Sequence, residues 1–384
     1  MEITAGDLRP RTIFFGGGTP SLLNLRQFEQ VLSTMERLRL LGAQEWTVEC
    51  NPATVSFDKA KLLHSYGVNR VSMGVQSLDS ALLETLGRIH SRQMVFKSFD
   101  ILRRAGFENV NLDLMFAIPG QTLKIWRQTL VEALAMGSEH LSCYEVIYEE
   151  DTALYAQLKA GQFAVDEDLA CSMYDELVES AEVSGLHRYE VANFARDVRE
   201  HKPSPIVDGT PEYGRKAQPV IRARQLSDQG EIVRGYFTDG DSQVLGLGVP
   251  GYACLHNINY WRGGSFYGLG PSATSYVRGV RTKNWANTQL YCEQIERGKR
   301  PIESREELAP LARAGETAAF GLRMVAGWPF EQFRQVTGYD LRNDWGEAMH
   351  RLSEQGWGQL TPEGFGLTAR GLRFADAAAE LFLR

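Results

Sequence analysis

Three consecutive glycines, Gly16-Gly17-Gly18, with Thr19-Pro20-Ser21 behind them, end the apolar run Arg11-Thr12-Ile13-Phe14-Phe15. Without Cβ atoms and with positive φ accessible, such a stretch lets backbone groups approach a small polar ligand closely. A tight turn needs glycine too. The run also lacks the Lys-Ser/Thr of a phosphate-cradling loop and the spacing of a dinucleotide fingerprint. Four polar side chains, Glu49, Gln76, Arg88 and Asp113, stand at or just beyond successive strand-like runs. Singly, the carboxylates read as helix caps or solvated loop groups and Arg88 as an exposed helix-end charge. Together on one rim, they would suit a ligand carrying hydroxyls, an amine and a carboxylate.

A second string, His256-Asn257-Ile258-Asn259-Tyr260-Trp261, offers an imidazole able to ligate iron and two large aromatics able to sandwich a flat macrocycle. A packed, hydrogen-bonded histidine is the plain alternative, and residue chemistry alone leaves both open. The five cysteines, Cys50, Cys143, Cys171, Cys254 and Cys292, are odd in number, and no two lie at metal-ligand spacing. They form no disulfide framework, which points to a reducing, cytoplasmic setting, and Cys50 reads as a small buried hydrophobe.

The elements that must position these groups alternate up to about residue 195. Strand-like runs Thr12–Phe15, Trp46–Glu49, Arg70–Gly74, Asn109–Met115 and His140–Val146 are separated by amphipathic stretches Leu25–Leu38, Phe57–His64, Met94–Arg104 and Leu123–Ala135, with Asp168–Ser184 following. This βα alternation predicts a parallel sheet with helical crossovers, polar groups converging at the carboxyl ends of its strands. Residues 197–249 lose the pattern and read as an insertion, with a short hairpin within Leu226–Gly246. Residues 250–285 are aromatic and glycine-rich. The tail, 286–384, reads as helices Ala286–Gln294, Glu306–Met324, Pro329–Thr337 and Leu341–Gln355. Two short strands within Trp357–Leu367 and a final helix Ala369–Phe382 would complete a winged-helix-like module.

At 384 residues the chain has room for two domains, or one barrel with an appendage. A net charge of −7 and a tail without a basic stripe argue against nucleic acid as a partner. No apolar run approaches the roughly 20 residues needed to span a bilayer, so no integral membrane segment is expected.

In combination the motifs resemble one radical SAM family, that of oxygen-independent coproporphyrinogen III oxidase. The resemblance rests on Ile13–Ser21, Glu49-Cys50-Asn51-Pro52, Arg70-Val71-Ser72-Met73-Gly74-Val75-Gln76-Ser77 and Leu86-Gly87-Arg88-Ile89-His90. It continues through Asn111–Met115, Ile118-Pro119-Gly120-Gln121 and Tyr189–Arg196. Ala117 stands where that family usually has glycine. The resemblance implies an incomplete (β/α)6 barrel with a helical, winged-helix-like C-terminal domain. It implies that Gly17, Gly18 and Thr19 contact the methionine moiety of S-adenosylmethionine, while Glu49, Gln76, Arg88 and Asp113 hold its ribose and polar groups.

The His-Asn-x-x-Tyr-Trp string resembles the mark of the family's heme chaperones rather than of its oxidases. It implies heme bound by His256, as iron ligand, with Tyr260 and Trp261, and passage of heme to an acceptor, expected to be a respiratory hemoprotein. Ser272 and Thr274 depart from a glycine and a histidine usual in that family. The family holds a [4Fe–4S] cluster with Cys-x-x-x-Cys-x-x-Cys after its first strand. The chain begins at what resembles the second strand and carries none of these ligands, so a start placed too late is the expectation and true loss the alternative. Two other readings stand beside the chaperone: an oxygen-independent coproporphyrinogen III oxidase, and a cluster-less pseudo-enzyme scaffold. Enzymatic activity, oligomeric state and whether heme is covalently held stay open.

Overall fold

Five strands, β1 (Thr12–Phe15), β2 (Glu45–Cys50), β3 (Arg70–Gln76), β4 (Val110–Phe116) and β5 (His140–Glu145), lie side by side in chain order and all parallel. The sheet is completed beyond β5 by two short antiparallel strands, β6 (His187–Arg188) and β7 (Asn193–Ala195), in the order β5-β7-β6. This computed structural model describes residues 8–150, 152–197 and 248–383, so the expected hairpin and nearly all of the 197–249 insertion lie outside the described residues.

The crossovers are helices whose ends are written in the sequence. Asn24 and Gln27 form a capping box on α1 (Leu25–Arg37), and Ser56 caps α2 (Phe57–Ser65). After the short α3 (Ser80–Thr85), Ser91 caps α4 (Arg92–Ala105), and Gly106 closes it in the left-handed region at φ 102°. Thr122 caps α5 (Leu123–Ala135), and α6 (Ala153–Lys159) leads to α7 (Glu167–Val183), capped by Asp166. Helical spacing puts Phe28, Leu32 and Met35 of α1, Val95, Phe99 and Leu102 of α4, and Trp126, Leu130 and Ala133 of α5 on faces buried against one side of the sheet. There they meet Trp46, Val48, Val71, Met73, Leu112, Leu114, Leu141 and Cys143. The Trp126 indole N–H donates to the Met173 carbonyl at 2.8 Å, tying α5 to α7.

Because strand side chains alternate, the same register sends the polar residues to the other side. Glu49 pairs with Ser72, Ser72 with Asn111, and Asn111 with His140; Gly74 pairs with Asp113, and Asp113 with Ser142. The concave face of the partial barrel is therefore polar, and the helix-covered face is the core.

Past the described break, α8 (Leu255–Trp261) packs against β1, a helix within the aromatic stretch that sequence reading left without one. Next come β8 (Thr274–Val277), β9 (Val280–Asn284), α9 (Thr288–Glu296) and β10 (Ile302–Glu307), the strands forming an antiparallel sheet in the order β10-β9-β8. The expected helix from Glu306 starts later: the strand runs to Glu307, and α10 (Pro310–Gly321) begins at a proline, whose missing N–H suits a helix's first position. The last core gathers Trp328, Phe333, Trp345, Phe365 and Phe382. It lies between α10, α11 (Phe330–Thr337), α12 (Leu341–Glu354) and a three-stranded sheet of β11 (Trp328–Pro329), β12 (Gly358–Leu360) and β13 (Gly364–Leu367). The expected final helix is split into α13 (Ala369–Leu372) and α14 (Ala375–Glu380). Among the described residues no helix is long and apolar enough to cross a membrane.

Candidate functional site: a polar rim above a buried hydrogen-bond chain

At the carboxyl ends of the strands, the glycine loop does what three missing Cβ atoms permit. A Cβ on Gly16 would stand 2.9 Å from the Glu49 carboxyl carbon, so glycine lets β1 close on β2 there. Gly17 and Gly18 have φ of 78° and 124°, with open space where a side chain would project. Thr19 follows, half-buried, at the start of a short turn of helix. The turn is stitched to the end of β2 by Ser21: its hydroxyl oxygen accepts the Asn51 N–H at 3.0 Å and the Thr54 hydroxyl at 2.6 Å, and its carbonyl accepts Lys59 Nζ at 2.8 Å. Ser21→Ala is expected to lower stability by about 1–3 kcal/mol, read from the urea midpoint at unchanged m.

Glu49, Gln76 and Asp113 converge beside this loop. The Gly17 N–H donates to Glu49; burial, helped by the Asp113 charge, pushes the Glu49 carboxyl up to about 7, with the Gly17 bond and Arg70 opposing. Asp113 is raised by burial and pulled back by hydrogen bonds from Ser72 (2.9 Å) and Asn111 (2.7 Å). Gln76 has a left-handed φ of 62° at a register shift in β3, and its side-chain amide folds over Gly74, the residue in register with Asp113. The end of β3 is held by His90, whose Nε2 lies 3.0 Å from the Val75 carbonyl. Arg88, just past the turn after α3, is exposed and has no ion-pair partner among the described residues.

Beneath the rim, a chain of buried groups runs down the concave face. The Asn111 amide nitrogen donates to Asp113 and Ser72, so its oxygen faces His140 Nδ1 at 2.6 Å and accepts there. Burial, with Arg70 adding, pulls His140 well below its usual range. Its single proton therefore sits on Nδ1, and Nε2 accepts from the Tyr189 hydroxyl at 2.9 Å. The Tyr189 oxygen accepts the Cys254 N–H at 3.1 Å, and the Cys254 thiol donates to Glu45 Oε1 at 3.4 Å. Burial pushes that thiol up to about 12. Arg70, 2% exposed, lies among these groups: burial pulls it down, but Cys254, Glu45, Tyr189 and Asp113 together hold it above its usual value.

The chain ends at α8. Glu45, 5% exposed, accepts the Leu255 N–H at 2.9 Å and the His256 N–H at 3.0 Å, occupying the helix's first donors. His256 stacks on Phe14 (centroids 4.9 Å), and its Nδ1 bonds the Thr12 hydroxyl at 3.0 Å. Burial lowers it, so the ring is neutral at pH 7, and Nε2 has no hydrogen-bond partner among the described residues. Tyr260, one turn on, shares its face (centroids 5.1 Å) and stacks on Phe266 at 4.1 Å.

Trp261 is not brought to this group. Five positions beyond His256, it turns toward α10, against Phe320 and the Arg323 guanidinium. The expected sandwich of two aromatics about one ring face is thus reduced to Tyr260. Among the described residues, no three His, Cys, Asp or Glu side chains converge to hold a metal ion, and Cys50, Cys143 and Cys254 are each buried and unpaired. These residues do not supply a [4Fe–4S] cluster's ligands.

Thr12, Glu45, Arg70, His140 and Tyr189 went unmarked in the sequence reading. For Glu45, Arg70 and His140 the signal was polar alternation inside otherwise apolar strands: Glu45-x-Thr47-x-Glu49, Arg70-x-Ser72 and His140-x-Ser142, beside Asn111-x-Asp113.

Residues 2–133 match the radical SAM superfamily, and residues 308–374 match the HemN C-terminal domain. The first third of the chain is thus similar to the radical SAM superfamily. The heme chaperone HemW of Bacillus subtilis (strain 168) is 29% identical over 376 residues, spanning 97% of this chain and 85% of that protein. HemW of Lactococcus lactis subsp. lactis is 29% identical over 375 residues, spanning 97% and 84%. The coproporphyrinogen III oxidase HemN of Escherichia coli, a radical SAM enzyme, superposes with a TM-score of 0.71 at 18% identity, covering 97% of this chain and 77% of that one. This likeness places the partial barrel and the helical C-terminal region in the HemN-like fold.

Proposed function

We propose that this protein binds heme through His256 Nε2, with Tyr260 beside the ring, and passes it to a heme-accepting protein. One observation carries the reading. His256 is neutral and fixed at Nδ1 and at its backbone N–H, while Nε2 has no partner. A neutral imidazole nitrogen held in this way is the form in which histidine ligates iron. The similarity to HemW proteins over nearly the whole chain supports the same conclusion.

The strand-end rim would take S-adenosylmethionine. Gly17 and Gly18 leave space and bare backbone, Glu49 and Asp113 supply acceptors for an ammonium or ribose hydroxyls, Gln76 supplies an amide, and Thr19 a hydroxyl. Arg88, exposed and unpaired, is available to a carboxylate. When bound, that molecule supplies a sulfonium able to be cleaved reductively; the residues of this chain bind and orient it.

The test is a hemin titration of the protein and of His256→Ala, followed at the Soret band. A shifted band in the first that is lost in the second is expected. Equal shifts in both, or none in either, would overturn His256 as the ligand. Conversion of coproporphyrinogen III to protoporphyrinogen by the chain would replace the chaperone reading with the oxidase.

A further inference from the structure

His256 is held from two sides by residues outside its own string. Glu45 at the start of β2 takes the His256 backbone N–H, and Thr12 at the start of β1 takes Nδ1; the two residues are paired in register. The direction of the Thr12 bond decides what the ring can do. A neutral imidazole carries one proton. If it sits on Nε2, then Nδ1 accepts from Thr12 and no lone pair is left at the far nitrogen. If it sits on Nδ1, the ring donates to the Thr12 oxygen and Nε2 keeps its lone pair.

One feature favours the second arrangement. The Glu45 carboxylate accepts the His256 N–H, on the backbone side of the ring where Nδ1 also lies, and negative charge there favours a proton on that nitrogen. The Thr12 hydroxyl has no other side-chain partner among the described residues and can take either role, so the charge of Glu45 sets the direction.

We propose that Thr12 is a positioning residue for heme ligation, its hydroxyl oxygen accepting the Nδ1–H of His256 and so fixing the tautomer in which Nε2 offers its lone pair to iron. The inference rests on heme ligation by His256. Outer hydrogen bonds to metal-bound histidines typically change metal affinity by about 10–100-fold, through ring orientation and ligand basicity.

The experiment pairs Thr12→Val, close in shape but without the hydroxyl, with Thr12→Ser, which keeps it. In the heme-free protein, ¹⁵N NMR of the His256 ring is expected to show the proton on Nδ1 in the parent and in Thr12→Ser, and on Nε2 in Thr12→Val. In hemin titrations, Thr12→Val is expected to bind about 10-fold more weakly, with Thr12→Ser restoring most of the loss. The heme reduction potential should rise in the valine variant, because the iron ligand is less basic. Loss of the Soret shift in His256→Ala, beside a Thr12→Val protein of full affinity and unchanged tautomer, would overturn the role of Thr12 alone. A His256→Ala protein that still binds would remove the ligation on which it rests.

Discussion

Arg70→Met is expected to lower the stability of the protein at pH 7 by about 3–5 kcal/mol, the cost of stranding buried charge. Arg70 is 2% exposed, and its hydrogen bond to Thr47 Oγ1 is long at 3.4 Å. It is therefore not held by a tight ion pair. Its role is to be the cation for the surrounding groups: it offsets Glu45 below and draws Asp113 and Glu49 down above. Methionine fills similar volume and removes the charge together with the weak bond to Thr47. Glu45, 5% exposed, would then keep its helix donors but lose its counter-charge.

Two checks separate this account from simple loss of packing. Urea unfolding of Arg70→Met should show a smaller deficit at pH 5 than at pH 7, because neutralising carboxyl groups relieves the repulsion. The double variant Arg70→Met, Glu45→Gln should recover part of the loss, a non-additivity expected of coupled neighbours. A deficit under about 1 kcal/mol, or one that is equal at both pH values, would show that Arg70 is not the counter-charge of the concave face.

The same residues mark how much was legible beforehand. The parallel sheet, its crossovers and the winged C-terminal helices follow from apolar periodicity and caps, which are local signals, and their boundaries hold to a few residues. Where Pro310 moves a helix start, local chemistry explains the change. Glu49 and Gln76 stood out because they sit near strand ends, where polarity contrasts with an apolar run, and Asp113 because it is a charge inside apolar β4. Arg88, expected beside them by sequence order, lies past the turn after α3 and is exposed.

The buried chain was not legible, for a physical reason. Its long links join Asn111 with His140, 29 residues apart, His140 with Tyr189, 49 apart, and Leu255 with Glu45, 210 apart. Each looks like an isolated polar residue until register places it. His256 was found for its likeness to a ligand. The contacts on which the proposed ligation rests, those of Thr12 and Glu45 with the ring and its backbone N–H, come from strands more than two hundred positions earlier.

Glu49 should make the protein less stable as pH rises from about 4.5 to 7. Its carboxyl titrates near 7 when folded against 4.5 as its ordinary value. In that window the native state keeps a proton that the unfolded chain has released, so unfolding free energy falls with pH. The full span corresponds to about 2–3 kcal/mol, allowing for the solvent that still reaches the group. Other groups contribute as well: Asp113 is raised and acts in the same direction, whereas His140, lowered by burial, loses stability as pH falls. The informative quantity is therefore the difference between the parent and Glu49→Gln, in which these shared contributions largely cancel. The glutamine variant should gain about 2–3 kcal/mol on the parent between pH 5 and 8, read from urea midpoints at each pH. Parallel profiles would mean that Glu49 is already ionised at the rim. A ligand bringing a positive group to Glu49 should expel the same proton, so calorimetry of S-adenosylmethionine binding at pH 6.5 in two buffers of different ionisation enthalpy should report up to one proton released per molecule bound, and none in Glu49→Gln.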